Sequence, residues 1–223
     1  MKTTNREKFN ALPQRQKKFA KTKTALLNAL LDELETKELS FIMIKDLTYK
    51  AEVSEPTFFN YFDSKQDMLV YFIQMWSIQM QHLASKVQAQ SNSFVKAIKT
   101  IFIESAKDIS AHPQIMLEII AFHAGKTNTK AHQITVAEKW LFFEEIEGVE
   151  KIEGMGLESI LPSLIAQAKA NGELKNEVDE ELLFLMLSSL FFGTSLLVLK
   201  HDAKQLPALF EVELDFIFEK VAK

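Results

Sequence analysis

The sequence predicts an all-α fold: a three-helix N-terminal domain joined by a long helix to a larger C-terminal helical body. Three observations carry this. Six glycines and five prolines in 223 residues are too few for the many turns of an all-β chain. Apolar residues recur at helical spacing through most of the chain, and no window alternates with period two. Helix start and stop signals punctuate that pattern. The spacing places the domain division at Met68/Leu69, giving 1–68, with a basic arm over 1–23, and 69–223.

Residues 1–14 are polar and basic and read as a loose arm closed by Pro13. A first helix over about 14–37 follows from Leu26, Leu27, Leu30, Leu31 and Leu34. A second, over 44–50, turns Ile44, Leu47 and Ala51 inward. A third opens at Ser54, whose hydroxyl can cap free backbone N–H groups, with Pro56 in its first turn where the missing N–H costs nothing. It ends near Phe62, because Ser64-x-x-Asp67 is a new capping box. That box opens a long helix with the stripe Leu69, Phe72, Trp76, Met80, Leu83 and Val87. Further helices are expected over 94–109, 114–123, 134–147, 157–171, 180–201 and 206–221, with loops over 124–133 and 148–156. Asn171-Gly172 is a C-terminal stop.

Composition narrows the function classes. With 47% hydrophobic and 25% charged residues the chain can bury a core and is not a disordered tail. There is no cysteine, which excludes disulfides and thiolate metal sites and is compatible with a reducing cytoplasm. The charged N-terminus lacks the apolar segment of a secretory signal, so a cytoplasmic location is expected. The apolar run 182–199 is interrupted by Ser188, Ser189, Gly193, Thr194 and Ser195. It reads as a buried bundle helix and not as a membrane span. The five histidines show no ligand spacing, Gly154-x-Gly156 follows no strand, and no nucleophile–base pair can be argued. No metal, no cofactor and no enzymatic activity are expected.

Net charge is −4, yet residues 1–23 hold eight Lys or Arg against the single acid Glu7. A basic end on an acidic body offers one place for a polyanion. Behind it, residues 43–65 form two short helices about a tight turn at 51–53. A helix that short buries little by itself and makes sense as a rigid probe held by its neighbours. Phe58 and Phe62, four apart, anchor one face. Thr57, Phe59, Asn60 and Tyr61 then point outward, where a thymine methyl suits Phe59 and a phosphate suits Tyr61. Arg15, Lys17, Lys18, Lys21 and Lys23 lead into this unit and are candidate phosphate ligands.

The block Val53-Ser-Glu-Pro-Thr-Phe-Phe-Asn-Tyr-Phe-Asp-Ser-Lys65, within about 23–69, resembles the DNA-binding domain of the TetR family of transcriptional regulators. The resemblance implies that Thr57 and Tyr61 contact phosphate, that Phe59 and Asn60 with Glu55 and Pro56 face bases, and that Lys65 holds the backbone. Met43, Lys45 and Ser54, at the starts of the two short helices, complete the expected DNA-binding set. The chain departs from the family at Glu38 and Glu52, where glycine is usual, and at Met43, where a Thr cap is usual.

The resemblance further implies a homodimeric repressor on a palindromic double-stranded DNA operator, with a C-terminal domain for dimerisation and for a small, largely apolar ligand. Trp76, Gln79, Met80, Phe102, Ser105, Met116, Phe122, His123, Trp140 and Phe143 are the candidate ligand-lining residues. Aromatics and methionines at helical spacing are also what a plain core looks like. The helices over 157–171 and 180–201 are expected to form the dimer interface. Two other readings stay open: a DNA-binding regulator without a small-molecule switch, and an all-α enzyme or interaction module.

Overall fold

A computed structural model describes residues 3–125 and 130–223. Among them are eleven α-helices and no strand; Leu174 and Ala222 form one isolated bridge. The helices are α1 (Asn5–Asn10), α2 (Gln14–Leu34), α3 (Ile44–Lys50), α4 (Glu55–Phe58), α5 (Lys65–Ser91), α6 (Phe94–Ala111), α7 (Pro113–Ala124), α8 (Val136–Phe142), α9 (Leu157–Ala170), α10 (Glu180–Leu199) and α11 (Leu206–Val221). Part of the loop expected over 124–133, and Lys2 of the basic arm, lie outside the described residues.

The chain groups into two compact units, one of Met1–Ile78 with Gly125–Gly154, the other of Gln79–Ala124 with Met155–Lys223. The division therefore differs from a single cut at Met68/Leu69. Residues 130–154 return to the first unit because they carry its missing core: α8 packs on α1 and α2.

In the first unit the expected loose arm is a docked helix. Thr4 and Glu7 form a reciprocal capping box around the start of α1, which satisfies two otherwise free N–H groups. Asn5 is buried and donates from Nδ2 to the carbonyls of Phe143 (2.8 Å) and Ile146 (2.7 Å). Phe9 packs with Ala20 and Ala137, flanked by Leu12, Trp140 and Leu141. A second capping box, Thr135 with Glu138, starts α8. That helix ends at Phe142, short of the expected 147.

In the second unit α6 is the central helix, packed by α9 and α11, with α10 against α7, α9 and α11. Phe102, Phe191 and Phe210 meet at 5.3–5.8 Å between ring centroids. The Glu173 carboxylate closes the free end of α6, accepting from Ser93 Oγ (2.5 Å), Phe94 N (2.9 Å) and Val95 N (3.2 Å). Burial raises the carboxyl pKa, and these bonds with Asn171 outweigh it, leaving Glu173 below the ordinary carboxylate range.

Helix α10 is long and apolar enough to cross a membrane by length and composition. Within its unit it exposes Leu182, Leu185, Met186 and Leu197, and α11 exposes Val212 and Phe216. Helix α9, by contrast, turns Leu157, Ile160, Leu161, Leu164 and Ile165 inward. The open apolar face thus belongs to α10 and α11, whereas the apolar side of α9 is buried.

Candidate nucleic-acid interface

The corner between α3 and α4 is built by three local interactions. Val53 N donates to Thr48 O at 2.9 Å. Glu52 sits at φ 54°, the left-handed region where a Cβ is strained. Glu38, the other departure from glycine, has φ −70° and no such strain. Ser54 then caps α4, accepting from Thr57 N (3.4 Å), and its hydroxyl lies 2.8 Å from that of Thr57. Met43, at the N-cap of α3, makes no side-chain cap.

Helix α4 ends at Phe58, earlier than expected. Residues 59–62 continue as turns through Asn60 N to Thr57 O and Phe62 N to Phe58 O. Phe58 and Phe62 are buried, their rings 6.0 Å apart. The opposite side leaves Ser54, Glu55, Pro56 and Asn60 exposed, Phe59 54% exposed, and Thr57 and Tyr61 half-buried. Tyr61 rests its ring on Phe19 of α2. These residues share the outward side of the 54–61 segment, and Met43 and Lys45 at the start of α3 are exposed as well. Phe41 and Tyr49 are also strongly exposed (72% and 86%). Neither carries a sequence signal that marks it; Tyr49 stands four residues after Lys45, on the same face of α3.

The basic residues divide. Arg15, Lys18 and Lys21 are exposed. Lys17 is half-buried and donates to Asn10 O at 3.0 Å, at the end of α1. Lys65 donates to the carbonyls of Leu39 and Ile42, each at 2.5 Å, so its ammonium closes the turn before α3. Lys23 is a correction: it is only 3% exposed and cannot serve as a phosphate ligand on the surface.

Its Nζ lies 3.2 Å from Glu138 Oε1, 3.4 Å from His132 Nδ1 and 4.0 Å above the Tyr71 ring. Burial pushes its ammonium pKa down, and Glu138 and Asp67 oppose that shift. Burial, with the Glu138 carboxylate alongside, pushes the Tyr71 phenol far above its ordinary value. His132 Nε2 meets Asp67 Oδ1 at 2.9 Å, and Asp67 Oδ2 accepts from Asp63 N at 2.9 Å in the turn behind Phe62. Gln74 clasps the returning segment at both ends, exchanging bonds with the backbone of His132 and donating to Gly154 O (2.9 Å). A Cβ at Gly154 would stand 2.5 Å from Gln74 O, so only glycine allows that approach.

The residues expected to line a ligand site fall in both units. Met80, Phe102, Ser105 and Met116 are buried in the second, where Ser105 donates to Ile101 O at 2.6 Å. Phe122 is half-buried there, and Gln79 and His123 are exposed. Trp140 and Phe143 belong to the first unit, where Trp140 packs on the α1–α8 core and donates to Glu150 Oε2 at 3.1 Å. Phe143 is buried and its carbonyl receives Asn5. Trp76 is half-buried in the same unit.

No family model matches the chain, and no curated protein matches it. Solved structures do. FadR of Thermus thermophilus, a TetR-family transcriptional repressor in complex with lauroyl-CoA, matches with a TM-score of 0.64 at 16% identity, over 88% of this chain and 93% of that one. FadR of Bacillus subtilis, in complex with stearoyl-CoA, gives 0.61 at 14% identity over 87% and 97%. A TetR transcriptional regulator of Rhodococcus sp. RHA1 gives 0.53 at 15% identity over 91% and 96%. At these identities the likeness is one of fold: this chain has the fold of TetR-type regulators along nearly its whole length.

Proposed function

We propose that this chain is a sequence-specific DNA-binding transcriptional regulator, a homodimeric repressor that a small, largely apolar ligand releases from a palindromic operator. The observation that carries the reading is the outward surface of residues 54–61, anchored from behind by buried Phe58 and Phe62, together with the exposed Arg15, Lys18 and Lys21 of α2, the helix whose Phe19 packs on Tyr61. A short rigid segment of this kind fits the major groove, with base edges facing Phe59 and Asn60 and phosphates facing Thr57, Tyr61 and the basic side chains. The uncovered apolar face of α10 and α11 suits a two-fold four-helix contact with a second copy. Dimerisation would place two such segments on two half-sites.

The apolar ligand is supported by the buried Met80, Phe102 and Met116 and by the acyl-CoA held in two solved structures of the same fold. The close ring contacts of Phe102 with Phe191 and Phe210 favour instead a regulator without a small-molecule switch. Native mass spectrometry of the purified protein separates the two. A gel shift with the DNA flanking its own gene tests DNA binding itself. No retarded complex there, or in a genome-wide selection of bound fragments, would end the proposal.

A further inference from the structure

We infer that the segment 132–154 is a positioning latch for the DNA-reading surface, with Glu138 and His132 as its positioning residues acting through Lys23 and Asp67. The inference rests on the DNA-binding reading above and names what holds that surface in place.

Glu138 is wholly buried and supplies the carboxylate that faces buried Lys23 at 3.2 Å. The Lys23 ammonium also lies 5.4 Å from the Phe62 ring and 5.9 Å from the Phe19 ring. These two rings support the reading surface, since Phe62 anchors it from behind and Phe19 carries Tyr61. His132 holds Asp67, which holds the Asp63 turn, and its ring packs on Phe62 at 5.5 Å. The segment is thus tied at one end to the turn behind the reading surface and in its middle to the cation beneath it.

The chemistry makes the tie costly to break. An ammonium buried beside three aromatic rings is tolerable while paired and strongly destabilising once its carboxylate leaves. Withdrawal of α8 would leave the Lys23 ammonium without this carboxylate, a cost that opposes partial release. In chain order it follows α7 and precedes α9, both of the second unit.

The test uses the full chain and amide hydrogen exchange with and without an operator fragment obtained by selection. Coupling is reciprocal. DNA binding should therefore slow exchange in 132–142, although those residues are not among the proposed DNA contacts. Glu138→Gln should weaken DNA binding by about tenfold, a usual size for coupling between sites, with α6 and α11 protected as before. The double variant Lys23→Met, Glu138→Leu removes both charges of the buried pair and leaves neither without its partner. It should recover both binding and the slow exchange of 55–67, and it stands in if the single variant fails to fold. Unchanged exchange in 132–142 on DNA binding, or equally weakened binding in the single and double variants, would overturn the latch. If the unaltered protein bound no DNA, the DNA-binding reading would fall. The latch would then be judged on whether Glu138→Gln speeds exchange at 55–67 in the free protein.

Discussion

The Tyr61 ring lies 5.0 Å from the Phe19 ring, tilted by 39°, so a side chain at the end of the reading surface is braced by the first turns of α2. Its ring is spent on packing, and only its hydroxyl is left to meet a partner. Tyr61→Phe keeps the brace and removes the hydroxyl. It should weaken binding to all DNA sequences alike. Asn60, exposed beside it, has no such structural duty, and Asn60→Ala should relax preference at one or two base pairs, at a cost of about 1–3 kcal/mol for each base pair it no longer reads. Binding-site selection on both variants decides; a changed motif for Tyr61→Phe with an unchanged one for Asn60→Ala would reverse the roles.

Lys18 and Lys21 are exposed, whereas Lys23 is committed inside. Replacing Lys18 and Lys21 with Gln should flatten the slope of log affinity against log salt by about 0.9 for each phosphate that is no longer neutralised. An unaltered slope would make them merely solvated.

Glu52 holds a left-handed backbone, φ 54°, in the turn between α3 and α4. Glu52→Gly should relieve this strain and stabilise the protein by about 1 kcal/mol. Glu38→Gly, at φ −70°, should give no such gain. Chemical denaturation of the two variants side by side measures the contrast, and equal effects would remove strain as the cause.

Glu173 is a carboxylate cap on α6 whose pKa in the fold is below its ordinary value of 4.5. A depressed folded pKa means stability present above the unfolded pKa and lost as pH falls through the folded one. Stability should therefore decline below about pH 4.5 in part through this group. Glu173→Gln should cost on the order of 1 kcal/mol near neutrality, as loss of a helix cap does, and should narrow the gap to the parent in acid. A constant gap between parent and variant from pH 7 to pH 3 would show that the charge is not what caps α6.

Leu185 and Phe216 are exposed apolar residues of α10 and α11. If a second copy covers them, Leu185→Glu with Phe216→Glu should yield a folded monomer by sedimentation at micromolar concentration. The DNA complex should then weaken to that of one half-site. A stable monomer for the unaltered protein would remove the proposed dimer, and partition of the unaltered protein into bilayers would mean that lipid covers this face.

Local signals in the sequence were enough for the presence of α2 to α11, though not for where α8 ends, and for the helix-turn-helix corner. Helical periodicity, Ser54 with Pro56, and Ser64 with Asp67 act within a few residues of themselves, so they are legible in one dimension. Two more local signals are present but hard to read. Thr4-x-x-Glu7 and Thr135-x-x-Glu138 are capping boxes of the same kind; the first opens a helix too short to show a period, and the second sets the start of α8 two residues after the expected 134. What only the tertiary structure decided was which residues are inside. Asn5 is buried through partners 138 and 141 residues away. Tyr71, Gln74 and Met75 are buried, although the stripe read along α5 passed through Phe72 and Trp76. Lys23 looks in sequence like its basic neighbours, yet it is internal because Glu138 returns to meet it. The physical reason is that a charged side chain carries no local mark of burial. Whether it faces a phosphate or a buried carboxylate depends on a partner supplied by a distant part of the chain, and nothing within one helical turn encodes that.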